Sequence, residues 1–194
     1  MPRFEYGQVE LDHLRRKDRK LGRVIDSLGM LRAEMYPDLF TALVSSVVGQ
    51  QISGKAAATV WSRVVERFGE ITPERLHQAS LEEIQSCGMS FRKAEYVKGI
   101  AEACTNGGLD LEVLKTLPDE EVVKSLVSLK GIGPWTAEMM LIFSLGRKDV
   151  VSWGDLAIRR GMAYLYGHRE LTRPMFDRYR KRYSPYGSAA SLYL

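Results

Sequence analysis

Cysteine is scarce in this chain, and its scarcity excludes several kinds of site. The 194 residues contain two cysteines, Cys87 and Cys104, and no Cys-x-x-Cys pair. The chain therefore cannot form a disulfide framework, and it lacks the four cysteines of a metal or iron–sulfur site. We expect no iron–sulfur cluster and a reducing environment.

Long apolar runs and strongly one-sided charge are also missing. No stretch is apolar for long enough to cross a membrane, and the N-terminus lacks the apolar core of a signal peptide. These absences predict a cytoplasmic protein without a membrane partner. The 28 Lys and Arg only slightly exceed the 24 Asp and Glu, but the excess is concentrated in residues 147–182. The positive electrostatic field of such a segment attracts a polyanion. A solvated basic surface is nevertheless the simpler interpretation of the charge alone.

Helical periodicity is present almost throughout, whereas no alternating strand pattern, internal repeat or interdomain linker is found. Residues typical of helix starts are Ser53, Ser90, and Ser80 with Glu83 in a capping box. The main predicted helices cover 37–48, 54–67, 91–104, 118–128, 134–145, 155–166 and 174–182. Shorter helices are predicted after Thr72 and Ser80, and another begins at about Ser188. The sequence therefore predicts an all-α fold, a compact two-lobed helical bundle that forms a single domain over residues 1–194.

The most specific local pattern is Leu129–Ala137, which reads LKGIGPWTA between two predicted helices. Gly131 and Gly133 permit the positive φ that a tight reversal needs and leave no Cβ to block a phosphate. Pro134 suits the first helical position, and the remaining N–H groups form an anion site with the helix dipole. We expect Ile132 to pack into the core. An ordinary αα-hairpin with a glycine-rich turn is the alternative.

An acidic residue, Asp155, stands at the predicted start of the next helix, within Val151–Arg160. Asp is a common N-cap, so in isolation we would interpret this residue as structural. The run 88–94 forms a second glycine turn into a helix, which we interpret as a connection between helices. The basic run 15–20 is interpreted as a solvated helix face.

In their order along the chain, three motifs resemble those of the helix–hairpin–helix DNA glycosylase superfamily. They are Leu43–Ser53, the hairpin Leu129–Ala137 followed by the Gly-Asp-Leu-x-Ile-Arg-Arg setting of Asp155, and the closing segment Ser184–Leu194. The pattern is most similar to that of 3-methyladenine DNA glycosylase II and extends from about Pro37 to the C-terminus. The resemblance implies a helix–hairpin–helix motif at about 118–145 and a DNA-binding cleft between two lobes.

The same resemblance implies roles for individual residues. Asp155 is the catalytic carboxylate, because breaking an N-glycosidic bond places positive charge on the sugar. The base pocket contains Trp135, Met139 and Trp153. For Trp153, packing in the core is an equally good interpretation. Gln51 enters the duplex when a nucleotide is flipped out. The predicted DNA contacts are Gln50, Gln51, Ser53, Lys130, Gly131, Ile132, Gly133 and Thr136.

Further consequences of the resemblance concern cofactors and lyase activity. The backbone carbonyls of Val127, Leu129 and Ile132 are implied to hold a Na⁺ or K⁺ ion at the hairpin. Relatives with lyase activity carry a Schiff-base lysine where this chain has Trp135, so we expect a monofunctional enzyme. Two departures stand out: Gln51 replaces an apolar residue common in the alkyladenine branch, and Gly187 replaces the usual Arg of the closing helix.

The leading functional hypothesis is therefore a monomeric DNA glycosylase that removes alkylated purines from double-stranded DNA in base excision repair. One alternative is a glycosylase for another lesion, such as oxidised guanine, uracil or mismatched adenine. The other is a helix–hairpin–helix module that binds DNA without catalysis.

Overall fold

A computed structural model describes residues 2–194, and within them the chain is all-helical, as predicted. The thirteen helices of this part of the chain are α1 (Gln8–Lys17), α2 (Arg19–Leu28), α3 (Leu39–Gly49), α4 (Gly54–Phe68), α5 (Pro73–Gln78), α6 (Leu81–Ser86), α7 (Phe91–Thr105), α8 (Leu111–Thr116), α9 (Asp119–Val127), α10 (Pro134–Phe143), α11 (Leu156–Tyr166), α12 (Arg173–Tyr183) and α13 (Gly187–Ser191). Residues 2–194 form no strand, and their extended pairing is limited to one antiparallel bridge between Arg3 and Glu34. None of the described helices is long and apolar enough to cross a membrane.

Most of the predicted helix starts are confirmed by side-chain caps. The Ser53 hydroxyl accepts from the Ala56 N–H, and Ser80 and Glu83 form the capping box. Helix α3 starts two residues later than predicted. Its N-cap is Asp38, whose carboxylate accepts from the Thr41 N–H at 2.7 Å, so Pro37 precedes the helix. A strong cap outweighs the helix-start preference of a neighbouring proline.

Three helices, α1, α2 and α8, were not among the predicted elements. Asp18 separates α1 from α2 and caps α2 by accepting from the N–H groups of Lys20 and Leu21. The basic residues around it obscure an apolar face that is nevertheless present, since Leu14, Leu21 and Ile25 are completely buried. Helix α8 has only six residues, which is too short for a reliable helical period.

The chain divides into two compact units, Tyr36–Met140 and Met1–Met35 with Leu141–Leu194. In the unit Tyr36–Met140, α7 is the central element and packs against α3, α5 and α6. The core there is formed by fully buried aliphatic side chains such as Leu43, Ala94 and Leu126. This core fixes the lead-in helix α9 of the predicted hairpin. The prediction of a single domain over residues 1–194 stays a prediction.

In the unit made of Met1–Met35 and Leu141–Leu194, α1 packs against α2, α12 and α13. Asp18 is buried there and accepts hydrogen bonds from the Tyr166 hydroxyl at 2.6 Å and from Arg182 at 3.0 Å. Burial alone would raise the pKa of Asp18, but these donors and the Leu21 N–H outweigh it, and the pKa is lowered. The ionised carboxylate thus joins α2, α11 and α12.

Candidate functional site

The predicted hairpin is present as a sharp turn between α9 and α10. Helix α9 ends at Val127, and α10 begins at Pro134, the expected first position. The Ile132 N–H donates to the Leu129 carbonyl at 3.1 Å and closes the turn. Ile132 is 4% exposed, which confirms that its side chain anchors the turn in the core. Local sequence therefore predicted both the reversal and its anchor.

The two glycines of the hairpin differ in backbone conformation and in the space around them. Gly131 has a φ of +88°, and a Cβ built there would lie 2.4 Å from Cδ2 of the Tyr96 ring. Gly133 lacks this positive φ, and a Cβ there would have no atom within 4 Å. Only Gly131 is thus required by the fold. The space beside Gly133 is open, as expected of a position that a phosphate approaches.

The remaining predicted contacts of the hairpin lie on either side of the turn. Lys130 is exposed and carries its charge beside the two glycines. Thr136, by contrast, is only 8% exposed, so its side chain lies in the protein interior. Any contact of Thr136 with a partner would therefore use its backbone.

Gln51 has a backbone conformation that a non-glycine residue rarely adopts. It lies in the turn between α3 and α4, is exposed, and has a φ of +57°. This left-handed conformation costs a non-glycine residue on the order of 1–3 kcal/mol and persists only where the surroundings enforce it. The neighbouring Ser53 caps α4 at the other end of the turn. The turn therefore presents the Gln51 side chain outward at an energetic cost.

Gln50, which was predicted as a DNA contact, forms a hydrogen bond within the protein. Its side-chain amide donates from Nε2 to the Gly131 carbonyl at 2.7 Å. A carbonyl only accepts hydrogen bonds, so the orientation of this amide is fixed. Gln50 therefore joins the turn before α4 to the hairpin and is engaged inside the protein.

The strain at Gln51 yields a stability prediction. Gln51→Gly removes the backbone strain but adds chain entropy to the unfolded state, so we expect stability equal to wild type or up to about 1 kcal/mol higher. Gln51→Ala keeps the strain and is the matched control, expected to be the less stable of the two. Thermal or urea unfolding of both variants measures the difference. A Gln51→Gly protein less stable than Gln51→Ala would contradict the strained turn.

Asp155 is the N-cap of α11, with its carboxylate fixed by the backbone. Its Oδ1 accepts from the N–H groups of Ala157 at 2.8 Å and Ile158 at 3.1 Å. The residue is partly exposed. Capping and catalysis are compatible, because the cap holds a negative charge in one place at a positive helix end. The structure thus supplies a fixed, accessible carboxylate.

Trp153 packs under two cations, which sequence reasoning did not anticipate. The guanidinium carbon of Arg159 lies 5.0 Å from the centre of its ring and that of Arg173 lies 5.5 Å away. The ring also meets Phe176 edge-on at 5.2 Å between centroids. Arg173 and Phe176 belong to α12, so Trp153 joins α12 to the segment before α11. These contacts favour the structural alternative for Trp153.

Trp135 and Met139 lie one helical turn apart on α10. The Trp135 side chain is 48% exposed, a large apolar area for a residue in the first turn of a helix. Met139 is partly exposed at position i+4, on the same face. An exposed indole in the first turn after the hairpin is suited to stacking on a base.

One residue that contacts the Gln51 turn was not singled out from the sequence, Lys93 in the first turn of α7. Its Nζ donates to the carbonyls of Val48 at 2.8 Å and Gln50 at 2.6 Å. Burial lowers the pKa of Lys93. The signal lay in the run 88–94, where a lysine follows a glycine turn into a helix, but its partners are more than forty residues away in sequence.

Known proteins are similar to nearly the whole chain. Residues 44–185 match the sequence model of the HhH-GPD superfamily of base excision DNA repair proteins. DNA-3-methyladenine glycosylase 1 of Schizosaccharomyces pombe is 32% identical over 192 residues, which are 96% of this chain and 84% of that protein.

Solved structures share the arrangement as well. A crystal structure of DNA-3-methyladenine glycosidase from Bacillus halodurans matches with a TM-score of 0.88 at 37% identity, covering 100% of this chain and 90% of that one. The structure of 3-methyladenine DNA glycosylase from Schizosaccharomyces pombe in complex with abasic DNA matches with a TM-score of 0.81 at 32% identity, covering 96% of this chain and 94% of that one. The similarity extends over the Gln51 turn, the hairpin and the start of α11.

Proposed function

The chain belongs to the HhH-GPD superfamily of base excision DNA repair proteins, and from this premise we propose that it hydrolyses the N-glycosidic bond of alkylated purines in duplex DNA as a monomer. Its membership and its likeness to DNA-3-methyladenine glycosylases confirm the resemblance inferred from the sequence. The chain is accordingly a DNA N-glycosylase for alkylated bases. It is part of the proposal that the base is a purine, that the DNA is double-stranded and that the enzyme has no lyase activity.

The carboxylate of Asp155 is the observation that carries the proposal. Two backbone N–H groups hold it at the start of α11 in an accessible position. As the bond from C1′ to the base breaks, its electron pair stays on the base nitrogen and positive charge develops on the sugar. A fixed carboxylate stabilises that charge and orients the water that adds to C1′. The proton of this water passes to the carboxylate and then to solvent.

The exposed indole of Trp135 supports an alkylated purine as the substrate. A purine nucleotide alkylated at N3 or N7 is cationic, and the electron-rich face of an indole attracts a cation as well as stacking on a base. Trp153 is unsuited to that task, because the guanidinium groups of Arg159 and Arg173 already lie over its ring and would repel a cationic base. We therefore assign stacking on the base to Trp135, with Met139 beside it.

A single carboxylate suffices for such a substrate. The cationic base leaves as a neutral molecule, so its departure needs no strong general acid. Trp135 has no amine, and a Schiff base cannot form at this position. We therefore propose that the enzyme leaves the abasic strand uncut.

We also propose that the backbone carbonyls of Val127, Leu129 and Ile132 hold a monovalent cation. Carbonyl oxygens are the hard ligands that such ions prefer, and these three residues belong to the hairpin. The Leu129 carbonyl accepts from the Ile132 N–H and keeps a second lone pair. When bound, Na⁺ or K⁺ would add positive charge to the anion site formed by the backbone. With two cysteines, these 194 residues cannot hold a four-cysteine cluster.

A panel of duplexes with one lesion each tests the proposal. The duplexes carry an N-methylated purine, 8-oxoguanine, uracil or mismatched adenine, and alkali then cleaves any abasic site. We expect strand breaks only with the methylated purine and only after alkali. Preferred release of another base would establish the other-lesion alternative, breaks without alkali would show lyase activity, and no breaks on any duplex would leave a DNA-binding module. Size-exclusion chromatography with light scattering tests whether the protein is a monomer in solution.

A further inference from the structure

The turn that carries Gln51 is connected to two other parts of its unit by hydrogen bonds. Lys93, in the first turn of α7, donates to the carbonyls of Val48 and Gln50 at 2.8 and 2.6 Å. The side chain of Gln50 donates to the Gly131 carbonyl of the hairpin at 2.7 Å. The backbone of Gln50 is thus held by Lys93, while its amide holds the hairpin.

These contacts explain how the conformation of Gln51 is maintained. The last carbonyls of α3 have no partner within the helix, and a lysine ammonium is a favourable donor at a helix C-terminus. Lys93 occupies this position at the residues immediately before Gln51, whose φ is +57°. A left-handed non-glycine residue persists only where its surroundings fix it. Lys93 supplies that restraint on the N-terminal side, and the Ser53 cap supplies it on the other.

We propose that Lys93 is a positioning residue for nucleotide flipping, which fixes the Gln51 turn against the hairpin through Gln50. The inference rests on the proposed glycosylase function, since it assumes that Gln51 enters the duplex. The hairpin that binds a phosphate and the side chain that fills the gap are then one rigid unit. Their spacing is set before DNA binds, and the energy of the phosphate contact is available for inserting Gln51.

The chain contains a matched control for Lys93. Lys98, on the same helix, donates from Nζ to the carbonyls of His77 and Ala79, each at 2.8 Å, at the end of α5. Both lysines thus bind two backbone carbonyls at a helix C-terminus, but only Lys93 does so beside Gln51. Replacement by Met keeps most of the side-chain volume and removes the three donors in either case.

The first measurement is hydrogen exchange of the free protein, which does not depend on any activity. In Lys93→Met we expect exchange of the amides in residues 49–53 to accelerate about tenfold or more, because two hydrogen bonds from a charged donor are lost. Lys98→Met should leave these amides unchanged. Gln50→Leu should loosen the same residues with Lys93 intact, and the effects of Lys93→Met and Gln50→Leu should not add. Unchanged exchange in Lys93→Met, or equal acceleration in Lys98→Met, would overturn the proposal.

The second measurement is single-turnover base release together with the salt dependence of DNA binding. We expect release to slow about tenfold in Lys93→Met, because Gln51 is no longer held for insertion. The slope of log affinity against log salt should stay unchanged. Loss of a lysine that contacts a phosphate directly would instead make the slope less steep by about one. A less steep slope in Lys93→Met would therefore refute the positioning role. If the wild-type protein releases no base from any lesion, the proposed function fails, and the exchange measurement still decides whether Lys93 fixes the turn.

Discussion

Asp155→Asn should abolish most base release while leaving binding to an abasic duplex within about twofold of wild type. The amide keeps the size of the carboxylate and an oxygen that can accept from the Ala157 and Ile158 N–H groups, and Asn is as good an N-cap as Asp. What is lost is the negative charge beside the sugar. Losing one such electrostatic contact typically costs about 10²–10³-fold in rate. Single-turnover release from a methylated-purine duplex measures this loss.

Asp110 provides a control with nearly the same geometry. Its Oδ1 accepts from the N–H groups of Glu112 at 2.9 Å and Val113 at 3.1 Å, where it caps α8. Asp110→Asn therefore makes the same chemical change at the same kind of cap, and we expect unchanged base release. Equal losses in both variants would indicate that Asp155 acts only as a helix cap, and full activity of Asp155→Asn would eliminate the proposed mechanism.

Gly131→Ala should strongly destabilise the fold. A residue with Cβ at a φ of +88° is strained by about 1–3 kcal/mol. The new methyl would also displace the Tyr96 ring, and overpacking of this kind costs a further 1–3 kcal/mol or so. For a chain of this length the sum corresponds to a decrease of Tm on the order of 10 °C. Differential scanning calorimetry measures it, and a Tm within about 2 °C of wild type would contradict the close contact with Tyr96.

Gly133→Ala separates stability from binding in the same turn. With no atom within 4 Å of its Cβ, the alanine should leave Tm unchanged. It should weaken DNA binding about tenfold or more, because the methyl occupies space that a phosphate needs and removes close approach to the N–H groups. Fluorescence anisotropy with a labelled abasic duplex measures this change. Unaltered affinity would show that the phosphate does not approach the turn at this glycine.

The parts of the fold that sequence predicted are those determined by neighbours along the chain. A serine cap such as Ser53 acts three residues ahead, and the turn at Gly131, with Ile132 buried after it, follows from adjacent residues. The same is true of Asp155 at the start of α11. Caps and glycine turns fix local conformation whatever the tertiary context, so the helix boundaries were predictable to within a few residues.

The contacts that fix the candidate site were beyond sequence reasoning because they join distant residues. The bond from Gln50 to Gly131 spans 81 residues and that from Lys93 to Val48 spans 45. No local pattern indicates which carbonyl an amide or a lysine will find once the helices have packed. The sequence therefore predicted Gln50 as a DNA contact and gave no sign of its bond to the hairpin. The sequence also suggested that both hairpin glycines make room for a phosphate, whereas Gly131 makes room for Tyr96.

Aromatic residues were the least predictable. Trp135 lies within the hairpin motif and Trp153 lies two residues before Asp155, and both were expected to line the base pocket. Their surroundings differ because Arg173 and Phe176, from α12, reach Trp153, whereas Trp135 keeps 48% of its side chain exposed. The periodicity of a helix indicates which face a residue occupies, but not which cation will cover it.

The Tyr96 ring against Gly131 also has a consequence for the thermodynamics of DNA association. The Tyr96 ring lies against Gly131 and the Gln50 amide donates to the Gly131 carbonyl, so the backbone N–H groups of the turn are already ordered in the free protein. Association then loses little conformational entropy at the hairpin, because preorganisation removes that cost from the binding step. Binding of a phosphate at this turn would therefore require no refolding of the segment.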